Sequence, residues 1–581
     1  MAIFNHNGLT FTTKTADTLT HESITPKRIG EISEYEISIE LENEMSPSEY
    51  VIEFAVPQVD ILGFWSPSAL LQKNITPDWW MREQSSRTAS GMPLVSLYNK
   101  QDESRFTVAL SDPATPAKIQ VGNIEETGHA LIRISIFSAL SPKMKRYTAT
   151  LRLDMRQIKM VDAVREVRAW WSELGYTSAY VPREARLPMY STWYSFHQHT
   201  TPKEILYECK IAKEYGMDTV IVDDGWQTDD NSRGYAYCGA WQVCRTKIPD
   251  MKEFVDSVHK LGMKFVLWFS VPYVGFESEN FERFKGMYLS TRKNSRACVL
   301  DPRFKEVREF LVNIYKKFAT EYGVDGFKLD FIDSFGLSDE SSTDYGKMDC
   351  ISVEQGVERL LSEVKSELLK INPEILIEFR QSYVGPIVGK YGNFFRVGDC
   401  PCDALVNKEA SIALRLTSDK IPVHSDMIMW NENDTVRNVV CQLLGTLFAV
   451  PQISVRFDKI TAEHKRLLLA YLTFWREHSD AILNGRLDAH GIDAGFSYVT
   501  SQNDEECVGA LYQSVVASVS ELKTSYIMNA TAIDEIFVEL DSRCEATTVS
   551  EFGEKRDTVC LDSGIHKLSV PIGGYVKIVR K

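Results

Sequence analysis

The chain has 581 residues, too many for one ordinary hydrophobic core, so roughly two to four domains are expected. Hydrophobic residues make up 44% and charged residues 25%, a balance that excludes the disordered and fibrous classes. A formal net charge of −15 sets the chain against nucleic acid or an anionic membrane as its main partner.

The opening residues, MAIFNHNGLTFTTKT, show no basic segment leading into an apolar run, so no secretory signal is expected. No apolar run reaches the roughly 18 residues that would span a bilayer. Eleven cysteines are odd in number, scattered and without paired CxxC spacing. That pattern fits free thiols and a cytoplasmic protein better than a disulfide framework. Cys400 and Cys402, in GDCPCD, lack a matching second pair, and no structural zinc is expected.

Residues 1–183 read as an N-terminal β-sandwich. YEISIELE, SEYVIEFAV and YTATLRLDM alternate polar and apolar side chains, and SDPATP is a turn between strands. In the third stretch Tyr147, Ala149, Leu151, Leu153 and Met155 share one face. A helix follows, with Val164, Val167, Trp171 and Leu174 at three- and four-residue spacing.

From 184 to 485 short apolar strands alternate with amphipathic helices. PMYSTWYSF, DTVIVDDGW, KFVLWFSVPY, DGFKLDF, EILIEFRQ, NFFRVGD, IPVHSDMIMW and PQISVRF are the strands. Helices begin at Lys203, Met251, Phe304 and Val353, near Lys408 and Thr435, and at Thr461. Over about 300 residues this is the rhythm of an α/β (β/α)8 TIM barrel. A doubly wound open sheet is the rival, and no Gly-rich phosphate loop follows the first strand to support it. Residues 486–581 are again β-like, in GFSYVTS, GALYQSVV, EIFVELD and GYVKIVRK, and predict a small C-terminal β-sandwich.

Polar residues gather at the late ends of the barrel strands: Asp223, Trp268, Asp330, Arg380, Asp399 and Asp426. Barrel active sites are built at those ends. Asp325, at a strand entrance, is expected to be structural. In VDGFKLDFID, Lys328 and Asp330 are two apart on one strand and so share a face, pointing into the barrel mouth. The lysine would hold the aspartate ionised, as a covalent nucleophile needs. A structural Lys–Asp pair is the plainer alternative. FRVGDCPCD adds Arg396, Asp399 and Asp403. Glycosidic cleavage needs two carboxyl groups, one ionised and attacking, one protonated and donating. Asp330 and Asp399 are the preferred pair, with Asp403 as the competitor to Asp399.

VDDGW ends a strand in two adjacent acids, Asp223 and Asp224, followed by Gly225 and Trp226. Helix capping, a divalent metal with help from HQH at 197–199, or the hydroxyls of a sugar would each satisfy them. Trp226 favours the sugar, since an aromatic face packs on the C–H side of a pyranose. Asp426 either accepts a sugar hydroxyl or caps a helix. Trp193 and Trp268, also at strand ends, are candidates for sugar stacking or for barrel packing.

Taken in order, DDGW, LWF, KxDF, RVGD and DM resemble the glycoside hydrolase family 36 α-galactosidases (melibiases), in the clan shared with family 27. The flanking sandwiches match that family in character. The resemblance implies a retaining exo-enzyme acting on α-galactosides, with no metal or organic cofactor. It implies Asp330 as nucleophile, Asp399 as acid/base, and Asp223 and Asp224 on the O4 and O6 hydroxyls. Lys328 would contact O3/O4 and keep Asp330 charged. Arg396 would bind the 2-OH or orient the acid, and Asp426 would lie near both.

There are departures from the family pattern. EFRQSYVGP replaces a Cys- and Gly-rich stretch that reads the 2-position, so Arg380 and Gln381 are candidates for that contact and the C2 substituent stays open. β-L-Arabinopyranose and α-N-acetylgalactosamine are alternative sugars, and transfer in the manner of raffinose synthase is an alternative outcome. A non-catalytic sugar-binding protein and a metal-dependent hydrolase are the rivals of other classes. The chain is shorter than many members, leaving the oligomeric state open. Trp79 and Trp80, in PDWWMRE, are candidates to reach from the sandwich over the barrel mouth.

Overall fold

The computed structural model describes residues 1–581. The N-terminal part forms two seven-stranded, largely antiparallel sheets. Their shared core includes Phe11, Tyr35, Ile52, Phe54, Leu97 and Val108. Alternation drives this packing. In Tyr50–Pro57 every second residue, from Tyr50 to Val56, is buried, and those between are partly exposed. Met144–Asp154 buries Ala149, Leu151 and Leu153, with Tyr147 and Met155 packed at the edge of the same core.

The helix Met160–Glu173 buries Val164, Val167 and Trp171 in the core it shares with the barrel. Leu174 is 48% exposed at the helix end, so the apolar stripe stops one turn earlier than its spacing predicts.

Eight parallel strands follow, labelled β1 to β8: Met189–Ser191, Thr219–Val222, Lys264–Ser270, Gly326–Asp330, Leu376–Arg380, Phe394–Arg396, Val423–His424 and Gln452–Ile453. Each pairs with the next up to β7, and β8 pairs with β1. Two isolated parallel bridges, His424 to Val450 and Ile428 to Ile453, join β7 and the residues after it to the β8 segment and close the barrel. The helices are α1 to α7: Pro202–Glu214, Met251–Lys260, Lys305–Lys317, Val353–Ile371, Ala404–Thr417, Val436–Gly445 and Ala462–Glu477. Between β5 and β6 the chain makes only a short turn of 3-10 helix, Val388–Lys390.

Two features differ from the sequence reading. β7 is short because the backbone N–H groups of Ser425 and Asp426 turn to the Val450 carbonyl and the Asn407 side chain. After β3 a three-stranded antiparallel sheet, Tyr273–Gly275, Tyr288–Arg292 and Ala297–Leu300, is inserted at the late end of the strand.

The last part, from Arg486 to Arg580, forms a seven-stranded sheet and a three-stranded one around Leu511, Ile527, Val538, Leu568 and Val576. Parallel pairing of Glu506–Leu511 with Thr524–Asn529 makes the larger sheet mixed.

Loops of the N-terminal sandwich reach the barrel's late strand ends. Arg87 donates to the Phe335 and Asp333 carbonyls at 2.7 and 2.6 Å, after β4. Gly91 N–H donates to the Ser382 carbonyl at 3.1 Å, after β5. Lys73 bonds Glu409 of α5 at 2.7 Å and the Ile492 carbonyl at 3.0 Å. All eleven cysteines are unpaired, and no helix is long and apolar enough to cross a membrane.

Candidate active site

Asp330 ends β4 with only 5% of its surface exposed. One carboxylate oxygen accepts from Arg380 Nε at 2.8 Å, from the Phe331 N–H at 2.8 Å and from the Tyr383 hydroxyl. The other accepts from Trp268 Nε1 at 2.9 Å. Burial pushes this carboxyl up, but Arg380, then Lys328, Tyr383 and Trp268, outweigh it and hold the group well below the usual carboxylate range. Such a group is held in its ionised form and fixed in orientation. Phe331 stands at φ 66, a left-handed conformation that costs a non-glycine residue energy.

Lys328 does face inward with Asp330, but its direct partner is Asp223 at the end of β2, 2.5 Å away. The sequence reading gave Lys328 the task of keeping Asp330 ionised. The direct cation is Arg380, and Lys328 acts from further off. Burial works against the Lys328 ammonium, as does Arg396, but Asp223, Glu378 and Asp330 together outweigh them and hold its pKa above the ordinary lysine value.

Asp224 accepts from Gln198 Nε2 at 2.7 Å and Gln227 Nε2 at 2.6 Å. Burial pushes it up to about 6. The middle residue of the HQH stretch thus meets Asp224 through an amide, while His197 packs at a tilt against Trp193 with centroids 4.1 Å apart. Gly225 is required here. It sits at φ +110, and a Cβ would lie 2.5 Å from Gln198 Cα.

Asp399, in the loop after β6, is placed differently. Its side chain is 47% exposed, and Arg396 Nη2 donates to it at 2.9 Å. Burial raises this carboxyl, but Arg396, Arg380 and Lys328 together outweigh it and lower it, with Asp330 opposing them. In the unliganded protein both carboxyls therefore lie on the ionised side, which corrects the expected opposite protonation. Asp403 is exposed, and its Oδ1 caps α5 by accepting from the Val406 N–H at 2.9 Å.

Arg396 is the hub beneath Asp399. It is 1% exposed and also donates to Asp426 Oδ1 at 2.5 Å and Glu378 Oε1 at 3.3 Å. Asp426 is fully buried and further accepts from the Tyr194 hydroxyl at 3.0 Å and the Cys400 N–H at 2.6 Å. Asp426 is neither a helix cap nor open to a sugar hydroxyl. It fixes Arg396 and the turn that presents Asp399, and Arg396 has no free face for a 2-OH.

Arg380 also departs from expectation. Its Nε grips Asp330, a partner not expected of it, and it lies 5.2 Å from the Phe331 and Tyr383 ring centroids. Gln381 reaches the Pro67 carbonyl at 3.3 Å, tying β5 to the N-terminal sandwich. Gln381, Asp399, Pro67, Ser68 and Gly91 line a cavity of about 410 Å³ between the sandwich and the barrel. Trp79 and Trp80 take no part in it; they are 75% and 62% exposed to solvent.

The tryptophans sort by depth. Trp226 is fully buried, donates to the Trp268 carbonyl at 2.9 Å and packs on Trp241, Phe269 and Phe318. It is core, not a sugar platform. Trp226→Ala is expected to cost about 3–5 kcal/mol of stability and to leave KM of the folded protein unchanged. A raised KM at unchanged Tm would restore the stacking role. Trp268, 2% exposed, acts through its N–H on Asp330. Trp193 is half-buried in the short helix Trp193–Phe196. The half-buried rings beside Asp330 are Tyr235, parallel to Trp268 at 6.4 Å, and Phe331.

Sequence reasoning missed Tyr383, Glu378, Tyr194 and Gln198. Glu378 and Arg380 are two apart on β5, the same inward spacing as Lys328 and Asp330, so that signal was present. Tyr383 lies in the EFRQSYVGP stretch already marked as unusual, but nothing in its spacing tells of a contact with β4.

Arg380→Met is expected to raise the Asp330 pKa, because the nearest cation on its carboxylate is lost. Attack needs the ionised form, so the acidic limb of kcat/KM moves to higher pH by about 1–3 units. A pH–rate profile checks this, and an unmoved limb would show that Lys328 suffices.

The melibiase family model matches residues 181–379. α-Galactosidase Mel36A of Lactobacillus acidophilus is 33% identical over 130 residues, 21% of this chain and 16% of that protein. The bifunctional α-galactosidase/sucrose kinase AgaSK of Mediterraneibacter gnavus is 31% identical over 130 residues, 20% and 13% of the two chains. These matches span less than a fifth of either relative. Among solved structures, GH36 α-galactosidase AgaA of Geobacillus stearothermophilus has a TM-score of 0.65 at 14% identity, covering 98% of this chain and 88% of that one. α-Galactosidase TtGalA of Thermus thermophilus, in complex with stachyose, has a TM-score of 0.54 at 14% identity, covering 81% and 99%. At that identity the likeness speaks to the fold. From 181 to 379, then, the chain matches the melibiase family model, within a fold like that of the GH36 α-galactosidase AgaA.

Proposed function

We propose that this protein is a retaining α-galactosidase that removes terminal α-linked galactose from oligosaccharides, with Asp330 as nucleophile and Asp399 as acid/base. The observation that carries this reading is the contrast between two carboxyls set around Arg380 and Arg396. One is sealed and held by four donors; the other is open to solvent and touched by one cation. The melibiase match supports the sugar, as do the names of the relatives and the stachyose bound to TtGalA.

The chemistry follows from that contrast. A galactosyl ring entering the site excludes water from Asp399, and with Asp330 still charged nearby its pKa rises, so the group takes up a proton. Asp330 attacks the anomeric carbon as Asp399 gives that proton to the departing oxygen. Water, deprotonated by Asp399, then releases galactose and restores Asp330. Asp223, Asp224 and Lys328 at the β2 and β4 ends hold the ring hydroxyls, with Tyr235 and Phe331 as its apolar flank. We place the protein in the cytoplasm, a reading supported by its eleven unpaired thiols.

The test is a panel of nitrophenyl glycosides and raffinose followed by proton NMR. α-Galactose appearing first is the expected result. β-Galactose first would overturn retention, and turnover confined to the β-L-arabinopyranoside or the α-N-acetylgalactosaminide would change the sugar.

A further inference from the structure

The underside of the barrel, opposite the carboxylates, has a cleft that the glycosidase reading does not use. It measures about 980 Å³ and lies between the helix Met160–Glu173, the end of α5, the turn into β7 and the residues following Leu483. The chain's net charge is −15, yet seven of the 19 residues lining this cleft are Arg or Lys and three are acidic. The acids are already engaged. Asp162 is shared by Arg165 and Arg486, Glu166 pairs with Arg156, and Asp419 with Arg168.

Two guanidiniums are left without a carboxylate. Arg415 donates through Nη1 to the carbonyls of Phe448 at 2.8 Å and Ile482 at 2.5 Å. Arg186 donates to Asn484 Oδ1 at 3.0 Å and the Lys420 carbonyl at 2.9 Å. Carbonyls and amides satisfy N–H groups but leave the charge uncompensated. Both arginines are only partly buried, and the Nε and Nη2 protons of Arg415 are unspent. Burial, with Arg165 and Arg186 alongside, pushes Arg415 down to about 10. A doubly charged anion between the forks would relieve that repulsion, and guanidinium geometry suits phosphoryl oxygens.

We propose that this cleft binds a phosphoryl dianion between Arg415 and Arg186, with Arg165 and Lys420 at its rim. Free phosphate and the phosphate ester of a sugar share this chemistry. The inference is independent of the glycosidase reading.

Thermal denaturation of the full chain tests it, at constant ionic strength, with phosphate, a hexose phosphate or chloride added. Phosphate is expected to raise Tm saturably by roughly 1–3 °C over chloride, and the Arg415→Gln/Arg186→Gln variant to lose that rise. Stronger binding of the hexose phosphate would identify an ester, and equal binding free phosphate. No rise over chloride, or the same rise in the folded double variant, would overturn the proposal. Should the double variant fail to fold, Arg186→Gln alone is compared with wild type by broadening of the phosphorus-31 line of phosphate. Equal broadening by the two, or none by wild type, also overturns it.

Discussion

Asp330→Ala is expected to lower kcat on an α-galactoside by about 10⁴-fold or more, because the covalent step has no other nucleophile in place. Azide is expected to restore turnover of an activated nitrophenyl galactoside and to yield the β-galactosyl azide. The methyl side chain leaves room on the face where the carboxylate stood, and a small anion entering there inverts the anomeric carbon once. The variant also leaves Arg380 as a partly buried cation without its bonded carboxylate, a change that itself costs stability. Activity is therefore read alongside circular dichroism. A folded Asp330→Ala protein that keeps its activity, or is not rescued by azide, would remove Asp330 from the chemistry.

The second large effect is expected at Asp399. Asp399→Asn should slow hydrolysis of raffinose by about 10²–10⁴-fold and that of a nitrophenyl galactoside much less in the first step, since nitrophenolate departs without a proton. The pH dependence separates the assignments further. Arg396, Arg380 and Lys328 lower this carboxyl in the free protein against the pull of burial. An acid must be protonated to donate, so kcat/KM, which reports the free enzyme, should fall from a low pH upward. Occupation of the site buries Asp399 further and raises its pKa, so the basic limb of kcat should lie at higher pH than that of kcat/KM. Asp399→Asn should flatten both. If Asp403→Asn produced these effects instead, the helix cap would be the acid and the present roles would be exchanged.

The barrel was legible because its signal is periodic. Apolar strands and amphipathic helices repeat, and each barrel helix named from the sequence begins within a few residues of the observed one. The inward pairing of Lys328 with Asp330 was legible for the same reason, since alternation along a strand is local. What the chain conceals are contacts between strands. Arg380 and Lys328 are both cations near strand ends, and only the closed barrel shows that the first meets Asp330 while the second meets Asp223. Depth was also hidden. Trp226 and Tyr235 lie in one loop, yet the first is sealed beneath Trp241 and the second remains half-open. The inserted sheet after β3 escaped because strands of three to five residues are shorter than any window in which alternation can be counted.

Lys73 has a consequence for how this molecule can be taken apart. One ammonium from the first sheet assembly holds an acid of a barrel helix and a carbonyl of the final β-region. Cutting the gene at the first border would take the bonded counter-ion from the buried Glu409, and cutting at the second would take the Ile492 carbonyl from Lys73, so neither flank is a detachable accessory. Grafting the catalytic segment onto a foreign partner would need this three-way clasp rebuilt, or both ends carried along.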